Sequence, residues 1–314
     1  MDEDDRILAD RSPEEIAAYL REIGDDDAAA RLERQIALPQ GQSIEAMLHR
    51  TRYLRNGLVV GFVSDSADGE YDIVDARGIE PETTLKDKRV KITLDQFFVH
   101  EYPGIGKHRI LCEFAGQNQI ADEIEELKFT LMVEVADREG TSVIGKPIFM
   151  GLTIGDDGIN FRGRTVNVGS STDDMILDAI NGEAFKGGLA LATTLQPALK
   201  PFVGLATHVV KAAVKRARNA PVFNFDIGFD FNSQNLAARL RRGSYVVVQT
   251  GEAEWDWSRF RFAPQTRHVI RKSDGIPLEA NYFVIGIDDF AGEPAKPKGR
   301  SATKAGSQAA RTRP

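Results

Sequence analysis

The stretch Leu127-Lys128-Phe129-Thr130-Leu131-Met132-Val133-Glu134-Val135 decides the fold class. Leu127, Phe129, Leu131, Val133 and Val135 recur at every second position, and a period of two is the mark of a strand with one buried face. The same texture extends outward on both sides. Upstream, Val90, Ile92 and Leu94 alternate with Lys91, Thr93 and Asp95 across a candidate strand from Arg89 to Tyr102. Pro103-Gly104-Ile105-Gly106 reads as a turn, after which His108, Ile110, Cys112 and Phe114 share one face. Leu58–Val63, Tyr71–Val74, Ile148–Ile154, Ile159–Val168, Val222–Phe231, Tyr245–Thr250, Trp255–Phe262 and Tyr282–Ile287 also read as extended, separated by Gly, Pro, Asn and Asp. Many short strands with turn punctuation predict an antiparallel β-sandwich or barrel.

Two segments depart from that texture. Residues 12–57 read as three short helices. Ser12-Pro13-Glu14-Glu15 is a capping box with proline at the first helical position, and Ile16, Leu20 and Ile23 follow on one face. Asp25-Asp26-Asp27 opens the second helix at its positive end. Ser43 starts a third through Met47, Leu48 and Leu54, stopping at Gly57. A bundle this small must pack its apolar face on the rest of the chain or on a partner. The second segment is a helical insertion at about 172–218, with a short helix from Thr172 to Ile180 and a long one from Phe185 to Arg218. Leu195, Leu199, Phe202, Ala206, Val209 and Ala213 form one stripe, with Pro197 and Pro201 as kink points and Lys211, Lys215, Arg216 and Arg218 at the end.

The fold expected is therefore α+β: a helical bundle over 1–57, a β-rich domain over 58–290 carrying the helical insertion, and a disordered basic tail over 291–314. A composition of 42% hydrophobic and 28% charged residues is that of a globular chain able to build its own core. One cysteine, Cys112, rules out an internal disulfide and a cysteine zinc site. The acidic start Met1-Asp2-Glu3-Asp4-Asp5 has the wrong charge for a signal peptide, so the expected location is cytoplasmic.

No catalytic constellation emerges. His108 and Cys112 on one strand face stand roughly 13 Å apart, too far to form a nucleophile–base pair. His49, His100, His108, His208 and His268 are scattered without zinc spacing. The glycine clusters lack the lysine of a phosphate loop, and no cofactor is expected. Three weaker patterns carry candidate chemistry. Asp156-Asp157 and Asp288-Asp289 are acidic pairs at turns of the kind that hold calcium when loops bring them together. Trp255, Trp257, Phe260 and Phe262, with Arg259 and Arg261 between them, form an aromatic patch, and their spacing implies a one-residue slip at Ser258. Leu195, Leu199, Phe202, Val209, Lys211, Lys215 and Arg216 would be the contact residues if the long segment met a membrane or partner.

The leading expectation is a non-enzymatic binding protein, a helical adaptor joined to a β-sandwich scaffold, with a protein partner on the N-terminal helices. The alternatives are a membrane-acting effector deploying residues 185–218 on anionic lipid, and an enzyme whose site is assembled from scattered loops. Nucleic acid is not expected as a partner.

Overall fold

The structure is a computed structural model, and it describes residues 6–38, 42–65, 71–120, 123–141, 143–169, 189–190, 200–214, 218–232, 236–251 and 255–291. Three helices come first: α1 (Pro13–Glu22), α2 (Asp26–Ile36) and α3 (Gln42–Arg50). The capping box forms as the sequence predicts. Ser12 Oγ accepts from the Glu15 amide at 3.2 Å, and the Ser12 amide donates back to Glu15 Oε2 at 2.7 Å. The third helix ends sooner than expected, at Arg50. Arg52–Leu54 form a single 3₁₀ turn, and Gly57 opens the first strand instead of closing a helix.

The strands are β1 (Gly57–Asp65), β2 (Tyr71–Asp75), β3 (Arg89–Val99), β4 (Lys107–Ile120), β5 (Glu123–Ala136), β6 (Glu139–Gly140), β7 (Lys146–Thr153), β8 (Ile159–Val168) and β9 (Leu189–Ala190). Helix α4 (Lys200–Val214) follows, then β10 (Asn219–Asp230), β11 (Ala238–Arg239), β12 (Gly243–Thr250), β13 (Phe260–Ala263), β14 (His268–Arg271) and β15 (Tyr282–Asp289). They form a ten-stranded sheet in the order β14-β13-β2-β1-β12-β15-β3-β7-β9, with β6 also on β3, and a five-stranded sheet in the order β11-β10-β8-β4-β5. Pairing is antiparallel apart from the short β9 and β11, which lie parallel to β7 and β10.

The inner faces of the two sheets enclose the main core. Phe114 and Phe161 stack at 5.7 Å on the smaller sheet, and Phe225 on that sheet meets Phe283 on the larger at 4.8 Å. Helices α1 and α2 contribute Ile16, Leu20 and Leu32 to the same core. The bundle's apolar stripe is thus spent on the chain itself.

The larger sheet coils until it is nearly closed. The β13–β14 hairpin folds back over β15 and β3, where the Val269 amide donates to Tyr282 Oη at 3.0 Å and His268 meets Phe98 edge-on at 5.1 Å. Strong coiling of a long antiparallel sheet follows from its right-handed strand twist. It creates a second core from Ile73, Phe98, Val246, Val248, Trp257, Phe260 and Val284. The chain therefore combines both expected architectures, a sandwich and a barrel-like sheet.

Two expectations are corrected. Trp255–Phe262 is not one extended strand, because Trp257–Arg259 form a 3₁₀ turn. Asp256 caps it, accepting from the Ser258 amide at 3.0 Å and from Ser258 Oγ at 2.6 Å. An Asp side chain that captures a nearby amide competes with strand pairing. The slip expected at Ser258 is this turn. The long segment is also not one helix from Phe185 to Arg218. Leu189–Ala190 are strand β9 and the described helix is Lys200–Val214. The helix expected at Thr172–Ile180 and the basic tail beyond Ala291 lie outside the described residues.

Candidate functional site

The two sheets do not meet evenly along their edges. At one corner the smaller sheet reaches the larger through β11, where the Arg239 amide donates to the Ala76 carbonyl at 2.8 Å. Beside this bridge lies a cavity of about 400 Å³, within the size range of small-ligand sites. One wall is β1 and the end of β2, with Leu58, Val59, Val60 and Asp75, and Arg77 just beyond. The facing wall is β10, with Asp226, Ile227 and Gly228, and the approach to β11. Trp255 and Trp257 complete it.

The local sequence explains why these side chains are held there. Trp257 sits at the start of the Asp256-capped turn and is buried against the outer face of β1, over Gly61. Trp255, half-buried, packs edge-to-face on Trp257 at 5.4 Å and stacks on Phe260 at 5.4 Å. Edge-to-face and offset stacking are the favoured arrangements of aromatic pairs. The indoles are therefore fixed relative to each other, and Trp255 keeps only part of its surface exposed.

The electrostatics are simple. Arg77 grips Asp75, donating from Nε to Oδ1 at 3.0 Å and from Nη2 to Oδ2 at 2.6 Å. These bonds hold the Asp75 carboxyl below the usual carboxylate range and raise the Arg77 guanidinium. Asp226 lies on an exposed position of β10, and it has no hydrogen-bond or ion-pair partner among the described residues. Arg162 is opposite it on β8, but the Arg162 guanidinium reaches Glu126 Oε1 at 3.0 Å.

Of the sequence-predicted aromatic patch, Trp255 and Trp257 line this cavity. Phe260 is core, and Phe262 packs against that core half-buried. The acidic pairs lie beside basic side chains. Asp156 lies at the β7–β8 turn 3.9 Å from Lys86 Nζ, Asp288 faces Lys91 at 3.6 Å, and Asp289 pairs with Arg242 at 2.7 Å. Asp157, beside Asp156, is exposed. Among the described residues no group of three or more His, Cys, Asp or Glu could hold a metal ion.

Of the residues assigned to the helical insertion, Val209 is buried. With Val210, Ala213 and Val214 it packs on Leu111, Val166 and Val168, on the outer face of the smaller sheet. Lys211 is exposed. Phe202 is in α4, and Leu195, Leu199, Lys215 and Arg216 lie outside the described residues. No described helix is long and apolar enough to cross a membrane.

Cys112 is fully buried in the main core, and burial pushes its thiol up, away from the thiolate a nucleophile needs. His108, on the same strand, instead bonds Asp137 Oδ1 through Nε2 at 2.8 Å.

A second cavity, of about 450 Å³, lies between the far end of β1 and the start of β12, with Phe62, Ser64, Tyr71, Arg241 and Arg242 in its wall. Arg242 is engaged there by both Glu82 and Asp289, so its charge is already answered within the chain.

The chain matches no family model, no curated protein and no solved structure. Asp226 escapes sequence reasoning because nothing marks it beyond its place in the polar half of an alternating strand.

Proposed function

We propose that this is a non-enzymatic binding protein whose two-sheet scaffold holds a small ligand in the seam cavity. The observation that carries the reading is one cavity lined by two interlocked tryptophans, aliphatic residues of β1 and the polar edge of β10. Ligand sites combine apolar and aromatic walls with a few placed polar groups. The indoles here are held rigidly, so little ordering cost accompanies binding.

The adaptor half of the reading places a protein partner on the outer face of the N-terminal helices. Their apolar side faces the core, and their exposed side carries charged groups such as the Arg21–Glu33 pair. The membrane-acting alternative has less support, because Val209, Val210 and Ala213 of α4 already cover the smaller sheet.

The test is thermal unfolding of the full chain against a metabolite library, with native mass spectrometry to detect retained ligand. A hit should raise the melting temperature of the wild type and leave Trp255→Ala unshifted. Hits that shift the wild type and Trp255→Ala equally would remove the seam cavity as the binding site.

A further inference from the structure

The junction between the N-terminal helices and β1 carries a reactive step of its own, remote from ligand binding. Asn56 precedes Gly57 there, in irregular backbone between the 3₁₀ turn Arg52–Leu54 and the start of β1. Asn56 is exposed, and its side-chain amide has no hydrogen-bond partner among the described residues. Both sides of the step are clamped to β12. Gln249 Nε2 donates to the Arg55 carbonyl at 2.5 Å, and Gly57 pairs with Thr250. A β-carbon at residue 57 would stand 2.6 Å from the Thr250 carbonyl oxygen, a backbone atom that cannot turn aside. The ladder therefore demands glycine at 57, and glycine leaves its own amide nitrogen least shielded. The buried asparagines differ on both counts. Asn167, Asn219 and Asn281 are followed by Val, Ala and Tyr, and their side-chain amides are bonded to Tyr19, Ala213 and Gln249.

We propose that Asn56 is a site of spontaneous deamidation, and that its isoaspartyl product loosens the clamp on β12. The Gly57 amide nitrogen attacks Asn56 Cγ. Its proton leaves with the side-chain nitrogen as ammonia, and a five-membered succinimide closes. Water then adds across one of the two ring C–N bonds, leaving an aspartyl or an isoaspartyl link at the same position. Ring closure requires a free side-chain amide, an unhindered following nitrogen and backbone able to turn, and the Asn56–Gly57 step combines them. The isoaspartyl link runs the main chain through Cβ. It adds one backbone atom between the Arg55 carbonyl held by Gln249 and the residue paired with Thr250. It also adds a carboxylate beside the turn that carries the buried Tyr53.

The test is incubation of the full chain at mildly alkaline pH, sampled over days and mapped by peptide mass spectrometry. The peptide holding Asn56 should gain the mass difference between an amide and an acid, as chromatographically separable isomers. The peptides holding Asn167, Asn219 and Asn281 should stay unchanged. Conversion should slow at mildly acidic pH, because the attacking nitrogen must shed its proton. Asn56→Gln should lose it, since a side chain one methylene longer closes a six-membered ring far more slowly. Asn181–Gly182 is the chain's other Asn-Gly step and lies outside the described residues, on a separate peptide. The isoaspartyl form, isolated by ion exchange, should melt about 2–4 °C below the parent, the shift expected when a large domain loses one hydrogen bond's net contribution. An Asn56 peptide that stays intact in the native chain but converts in urea would overturn the proposal, because pairing at Gly57 would then shield the nitrogen. An isoaspartyl form that melts with the parent would overturn the loosening of the clamp.

Discussion

The side-chain amide of Asn167 on β8 donates to the hydroxyl of Tyr19 on α1 at 2.9 Å, with both residues buried. The same amide donates to the Pro103 carbonyl at 2.9 Å. One side chain thus ties the first helix, the β3–β4 turn and the smaller sheet together. Tyr19→Phe removes the helix-to-sheet bond without opening a cavity. The expected loss is about 1 kcal/mol, since a buried donor is left with one partner fewer. Urea unfolding followed by circular dichroism measures it, and an unchanged midpoint would mean the bond contributes nothing net.

Removing the helices altogether should do far more. Ile16, Leu20 and Leu32 are buried in the main core, and each such side chain contributes about 1.5–3 kcal/mol when covered. A chain beginning at Leu58 would expose that core surface. It should be insoluble or lack cooperative unfolding. A soluble, cooperatively melting 58–314 fragment would instead make the bundle a separable module.

How much of this was legible in the sequence depends on the distance over which the cause acts. The strand Leu127–Val135 and the cap at Ser12 are local, set by side-chain alternation and by a bond between residues three apart, and both read directly. The turn at Trp257 was half legible. Aromatic spacing revealed a slip, but the Asp256 side chain that makes the turn looked like any surface polar group. Strand β9 was hidden inside a helical-looking run, because two residues beside β7 follow a tertiary partner and not their own propensity. The seam cavity was invisible for the same reason. Asp226 and Trp255 line one cavity only because two sheets meet at a corner, and their edges carry no label in the sequence.

Glu113 and Arg164 face each other across β4 and β8, and Arg164 Nε donates to Glu113 Oε2 at 2.7 Å. Their side chains are only 8% and 19% exposed. Glu113 Oε1 is buried without a partner among the described residues. Arg164→Met would strand that carboxylate, at a cost of about 3–5 kcal/mol. Adding Glu113→Leu should recover most of the loss, because a matched apolar pair avoids burying a lone charge. A double-mutant cycle in urea measures the coupling, and a double variant no better than Arg164→Met would show that the ion pair itself contributes the stability.

Asp95 supplies a pH dependence of definite sign. Burial raises its carboxyl above the usual carboxylate range, opposed by a hydrogen bond from Thr93 Oγ1 at 2.7 Å. A native state whose pKa is raised binds its proton more tightly than the unfolded chain does. This group therefore favours folding increasingly as pH falls from neutral through its raised value toward about 4. Asp95→Asn keeps an acceptor for Thr93 and removes the penalised charge. It should be at least as stable as the wild type at pH 7 and gain less on acidification to about pH 5. Glu101, also raised by burial, retains part of the slope. An unchanged difference between the two pH values would rule Asp95 out as its source.

Gly61 connects the core to the cavity. It lies on β1 between Val246 and Asp75 in the ladder, and a β-carbon there would collide with Ile73 Cγ2 and stand 2.9 Å from Trp257 Cε2. Trp257 is buried and cannot swing aside freely. Gly61→Ala should therefore cost about 1–3 kcal/mol through overpacking. It should also alter tryptophan fluorescence, because moving Trp257 moves the Trp255 ring that leans on it. Gly228 is the control. It lines the same cavity, but a β-carbon added there meets only Ala237 Cβ at 3.5 Å, an ordinary contact. Gly228→Ala should stay within about 0.5 kcal/mol of the wild type and leave the fluorescence unchanged. If Gly61→Ala proved equally silent, Trp257 would not be held by β1, and the rigid indole pair on which the cavity's chemistry depends would be lost with it.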